Sequence, residues 1–250
     1  MRTARSPLLV LLTTLALLVA ACGSAASDDG TAASDDGTAA ATSTTADVAS
    51  PAPAAEIGSI VALGDSIMAW NVDLGASIPD VIGESLGAPV VNASVGGAFA
   101  GDVVEQYDEA GGDHDWVVLD GGGNDYNDRC GCGECATVAD TIVTSDGQGG
   151  VLADFTESLV AEGRNVVLVG YYELPEGAAF GFARCGEELV EHTERMRTLA
   201  GRFDSVLFVD PGEIVQGDDR FAFDDDLVHP SIEGSRVVGE QIAAAISAAG

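Results

Sequence analysis

The chain contains no lysine. Its 250 residues carry 41 Asp and Glu against ten arginines, two of which, Arg2 and Arg5, lie at the extreme N-terminus, and the formal charge is −31 at pH 7. A surface of that sign repels phosphate backbones and anionic lipid headgroups, which excludes a nucleic-acid partner and electrostatic docking to a membrane. Either adaptation to salt or a GC-rich genome removes Lys; genome bias does not explain the excess of Asp and Glu, and both causes stay open. Also missing is a run of about 20 apolar residues, the length that spans a bilayer. No internal repeat runs through residues 57–250. Histidine is scarce, with only His114, His192 and His229, so a catalytic base has few candidates. The acidic triplet Asp224–Asp226 has no spaced second cluster to complete a metal site. No metal or cofactor is expected.

What is present begins with an export signal over residues 1–22. Arg2 and Arg5 precede the apolar stretch "LLVLLTTLALLVA". That stretch is short for a membrane span and ends in small residues, as secretory signals do. Its end, "VAAC", resembles a bacterial lipobox, which implies acylation at Cys22 and anchoring to the outer face of the cell membrane. Residues 23–56 repeat "SDDGTAA" and hold almost no large apolar side chain. Such a segment buries too little surface to offset its chain entropy and reads as a disordered tether. Residues 57–250 form one domain of ordinary size, and a monomer is expected.

Within that domain, five apolar, β-branched runs alternate with helix-like segments. The runs lie at 57–64, 88–94, 115–122, 165–172 and 205–210. The helices are expected at 77–86, 102–110, 150–162, 187–202 and after "HP" through "SIEGSRVVGEQIAAAISAA". Continuous rather than alternating apolar strands are covered on both faces. The alternation predicts an α/β fold: a five-stranded parallel sheet between two helical layers. Ligands of such sheets bind beyond the carboxyl ends of the strands.

Four candidate positions fall there. Ser66 follows the first strand in "IVALGDSIMAW". Gly96 and Gly97 follow the second in "VVNASVGGAF", and Asn124 the third in "LDGGGNDYN". Asp226 and His229 lie in "DDDLVHP" before the last helix. Each has a plain explanation alone: a helix cap, a turn, a local hydrogen bond, a loop end. Together they supply what acyl transfer through serine needs. Ser66 attacks, His229 takes its proton, and Asp226 reaches the far ring nitrogen to fix the tautomer. The amides of Ser66 and Gly97 and the side chain of Asn124 can converge on one oxyanion. His114 precedes a strand, at the wrong end of the sheet. His192, in "EELVEHTERMR", reads as a residue on a solvated helix face.

The ordered set "GDSI" at 64–67, the glycine of "NASVGG", "GGND" at 122–125 and Asp226-Leu227-Val228-His229 resembles the SGNH, or GDSL-type, hydrolases. Ile67 stands where the family usually has Leu. The resemblance spans 58–248 and implies a three-layer, flavodoxin-like fold and a serine esterase or lipase acting on small-molecule or glycan esters. It assigns the oxyanion glycine to Gly97, with Gly96 as the alternative. An acyltransferase using the same triad, or a non-catalytic ligand-binding lipoprotein, are the rival readings. Outside the motifs, Cys130, Cys132, Cys135 and Cys185 suggest two disulfides in an exported protein rather than a zinc site. A Cys130–Cys132 bridge is disfavoured by its small ring, so Cys185 is expected to join one of the three and clamp the 170–185 loop over the site. Tyr126, Tyr171, Tyr172, Phe180 and Phe182 are candidates to line the pocket.

Overall fold

The computed structural model of the chain describes residues 57–250, so the signal, Cys22 and the tether lie outside the described residues. Five strands form where the β-branched runs predict them: β1 (Ile60–Leu63), β2 (Val90–Asn92), β3 (Trp116–Leu119), β4 (Asn165–Val169) and β5 (Val206–Val209). All pair in parallel in the order β2-β1-β3-β4-β5. The strands are shorter than the apolar runs that mark them. Gly64, Asp120 and Gly170 already belong to the turns that leave the sheet. β1 and β3 are buried along their whole length, and β4 from Val166 to Val169, as continuous apolar runs require.

The helices are α1 (Ser66–Ala69), α2 (Ile78–Leu86), α3 (Ala100–Ala110), α4 (Gly123–Asp125), α5 (Ala136–Ile142), α6 (Val151–Ala161), α7 (Gly186–Ala200) and α8 (Ile232–Ala249). Local chemistry sets their ends. Ser77 and Asp80 close a capping box at α2 with Pro79 in its first turn, and Ser231 caps α8 by accepting from Gly234 N at 3.1 Å. α2 packs against α8 on one face, and α3 packs against α6. Right-handed crossovers place α3, α6 and α7 together on the opposite face. The result is the three-layer α/β/α arrangement expected.

This strand order reverses direction between β1 and β3. Doubly wound sheets of the same order bind ligands at that switch point. Ser66 leaves β1 and Asn124 leaves β3, so both flank it. Among the described residues, no helix is long and apolar enough to cross a membrane.

Candidate active site

The site begins with how β1 ends. Gly64 has φ +152°, and a Cβ there would lie 1.9 Å from Asp120 Oδ1, so no other residue fits. Gln106 brackets the turn from α3: its Oε1 accepts from Gly64 N at 2.7 Å and its Nε2 donates to Gly64 O at 2.9 Å. Asp65 then caps α1, with Oδ1 accepting from Ile67 N at 2.9 Å. Ser66 is thereby the first residue of a one-turn helix, with its hydroxyl raised above the sheet.

His229 approaches from the far side, in the loop that links β5 to α8. Its Nε2 lies 2.8 Å from Ser66 Oγ, and its Nδ1 lies 2.6 Å from Asp226 Oδ2. The other oxygen of Asp226 accepts from the amides of Val228 and His229, both at 2.9 Å. Burial pushes the Asp226 carboxyl up, but these amides and the imidazole outweigh it and hold it below the ordinary carboxylate value. Asp226 is thus fixed as an anion at the back of the imidazole.

The oxyanion candidates converge on the same place. Ser66, Gly96, Gly97, Asn124 and His229 line one open cleft of about 410 Å³. Among the described residues, the amides of Ser66 and Gly97 find no acceptor. Gly97 has φ +81°, and a Cβ there would meet open space, so strain rather than a clash selects glycine. Asn124 Nδ2 donates one proton to Ala98 O at 3.0 Å, which steers its amide and leaves a second proton on the same nitrogen.

The family-model comparison identifies a GDSL-like Lipase/Acylhydrolase domain over residues 62–237. The chain belongs to this family. It is an ester hydrolase of the SGNH type. No curated protein matches it. Its fold is similar to an acetyl xylan esterase, AlAXEase (18% identity, TM-score 0.59, 75% of this chain and 98% of that one). It is also similar to an inhibitor-bound aryl esterase of M. smegmatis (16%, 0.57, 76% and 99%) and to a GDSL-like lipase from Bacteroides thetaiotaomicron (19%, 0.55, 76% and 88%). At these identities the likeness concerns the fold alone.

In this GDSL hydrolase, several neighbours of the motif residues escape a motif-based reading. Trp70 stacks flat on the His229 ring, with centroids 3.8 Å apart and planes 6° apart. Trp70 Nε1 donates to Asp224 Oδ2 at 2.8 Å. The available signal was an aromatic residue one helical turn after the serine. Beneath Ser66, Asp120 Oδ1 accepts from Asp65 N at 2.9 Å, and Tyr171 OH donates to Asp65 Oδ2 at 2.7 Å. Burial raises both carboxyls, and for Asp120 the adjacent Asp65 adds to a large upward displacement.

Two expectations need correction. His192 is not on a solvated face but fully buried. The 123–142 segment covers that side of α7, and the ring meets Tyr126 edge-on at 5.5 Å. Tyr126 does not line the cleft; it is buried at 1% exposure, its hydroxyl 3.4 Å from His192 Nδ1. His114 lies before β3, as expected, with Nε2 2.8 Å from Gly111 O. Asp224 and Asp226 direct their carboxylates to Trp70 and His229.

The cysteines form two disulfides, Cys130–Cys135 and Cys132–Cys185. The second ties the segment after β4 to the loop after Asn124. From that segment Tyr172 OH donates to Val228 O at 2.9 Å and Ala179 N to Asp226 O at 2.9 Å. The expected clamp is therefore present, and it grips the backbone of the Asp226–His229 turn.

Proposed function

We propose that the chain hydrolyses carboxylic esters through an acyl-Ser66 intermediate. The hydrogen-bond chain from Asp226 through His229 to Ser66 carries this reading. His229 Nε2 takes the Ser66 proton as Oγ attacks the carbonyl carbon. The oxyanion is held by the amides of Ser66 and Gly97 and by Asn124 Nδ2. The C–O bond to the alcohol breaks, and the proton passes from His229 to the departing oxygen. Water then gives its proton to His229, attacks the acyl carbon, and releases the acid with Ser66 restored. Water reaches the acyl carbon through the open cleft once the alcohol has left it.

The same proposal places the enzyme outside the cell, held by an acylated Cys22 and its tether. Two disulfides in one small domain support an oxidising compartment. Cys22→Ala should move the protein from the membrane to the soluble fraction; equal membrane retention would overturn the anchor. For the chemistry, a fluorophosphonate should label the wild type and leave Ser66→Ala unlabelled. A folded Ser66→Ala that still turns over a chromogenic ester would overturn the mechanism.

A further inference from the structure

Two spaces of very different size meet at Ser66. One is the open cleft of about 410 Å³, which His229 also lines. The other is a pocket closed by Tyr171, Tyr172, Leu174, Phe182 and Leu189, with about 20 Å³ of free space. That is room for one group the size of a water molecule or a methyl. Ser66 and Asn124 border both spaces, whereas His229 borders only the cleft.

The acyl-serine reading decides which half of an ester goes where. His229 must hand its proton to the departing oxygen, so the alcohol lies on the His229 side, in the cleft. The alcohol must also leave, and water must enter, before the acyl group is freed. The acyl chain stays bonded to Ser66 throughout and takes the remaining direction, into the closed pocket.

The cleft has its own chemistry. Phe180 stands at its edge with 67% of its surface exposed, its ring 6.0 Å from that of His229. It is held there at φ +55°, a conformation bulky side chains rarely adopt, by Asn127 Nδ2 donating to its carbonyl at 3.0 Å. Strained backbone of this kind persists where the surroundings impose it, and clusters at binding sites. Besides His229, the ionisable side chain lining the cleft is Asp128. Its neighbour Arg129 is turned away, onto Asp125 at 3.2 Å and over the Phe99 ring at 4.8 Å. An anionic alcohol would meet Asp128, with no arginine among the residues lining the cleft to offset it.

We propose, resting on the acyl-serine reading, that the substrates are acetyl esters of bulky uncharged alcohols that lie against Phe180. Leu174 closes the acyl side and Phe180 supports the alcohol side.

The test is an acyl series of 4-nitrophenyl esters from two to twelve carbons, run with the full chain. Alongside it, one acetyl group is offered on three alcohols: phenol, a neutral sugar and 4-hydroxybenzoate, a phenol that carries a carboxylate. Acetate should exceed octanoate in kcat/KM by at least tenfold, and Leu174→Ala should shrink that ratio severalfold. Phenyl acetate should exceed 4-acetoxybenzoate, its anionic counterpart, and comparing KM for the aryl and sugar acetates separates an aryl from a polyol alcohol. Phe180→Ala should raise KM for the uncharged acetates more than it lowers kcat. A flat series, or a preference for eight or more carbons, with Ser66 still labelled by fluorophosphonate, would overturn this proposal alone. Absence of labelling would overturn the acyl-serine reading and this proposal with it.

Discussion

The two walls of the cleft are built by different means. The nucleophile wall follows directly from the sheet: Leu63 leads to Ser66, and Leu119 to Asn124, within a short turn. Strand register places these residues, and Gly64 and Gln106 fix the exit. The base wall is remote from its strand, with the chain wandering from Val209 to His229 through two short helical turns. It is placed by cross-links between loops: Tyr172 to Val228, Ala179 to Asp226, Trp70 to Asp224, and Cys132 to Cys185. The same sheet thus presents one reactant from regular structure and the other from stapled irregular structure.

The largest test strikes where the walls meet. Asp226→Asn should lower kcat by about 10⁴-fold with the fold intact, because the imidazole loses its orienting anion. Near-wild-type turnover would mean that the loop ties alone orient His229.

Next, the staple can be cut. Replacing Cys132 and Cys185 by Ser should cost about 4 kcal/mol, against about 2 kcal/mol for the Cys130–Cys135 pair, from the loop lengths each closes. Urea denaturation measures both. If the comparison holds, loss of Cys132–Cys185 also lowers turnover, while loss of the smaller ring affects stability alone.

A third test sharpens the comparison through His192, which lies behind the nucleophile wall. Burial, helped by the charge of Arg195 and opposed by the Gly121 carbonyl, lowers this imidazole from 6.5 to about 4. Between those values the unfolded chain takes up a proton that the folded chain refuses. Stability contributed by the neutral ring is therefore full above pH 6.5 and falls as pH drops toward 4, by roughly 3 kcal/mol in all. The difference in stability between wild type and His192→Gln should change by about this amount across that window. A constant difference would contradict a neutral buried ring.

The smallest expected effect is at the stack that joins the walls. Trp70→Ala should lower kcat about tenfold, by removing a π face from a ring that becomes cationic in the reaction. Trp70→Phe keeps the face and loses the bond to Asp224, so it should cost less than Trp70→Ala. Equal losses would place the effect in the Asp224 bond instead.

The nucleophile wall was the legible one. Its residues sit at strand ends, and the five apolar runs mark those strands, so "GDSI" and "GGND" can be placed from pattern alone. The runs overstate strand length because the chain stays buried after pairing stops, as at Asp120–Gly122 and Gly170–Tyr172. The base wall was legible only as the D-x-x-H spacing. Its partners, Trp70 with Asp224 and Ala179 with Asp226, are far apart in sequence and belong to no period. His192 was misread for a related reason. A helix written with Glu and Arg around a histidine reads as solvated until a distant segment covers it.

The Cys132–Cys185 bond also leaves the two walls unequal before a reductant. Opened to two thiols, it would take a covalent tie from the base wall, while the exit of β1, bracketed by the Gln106 amide, would lose nothing.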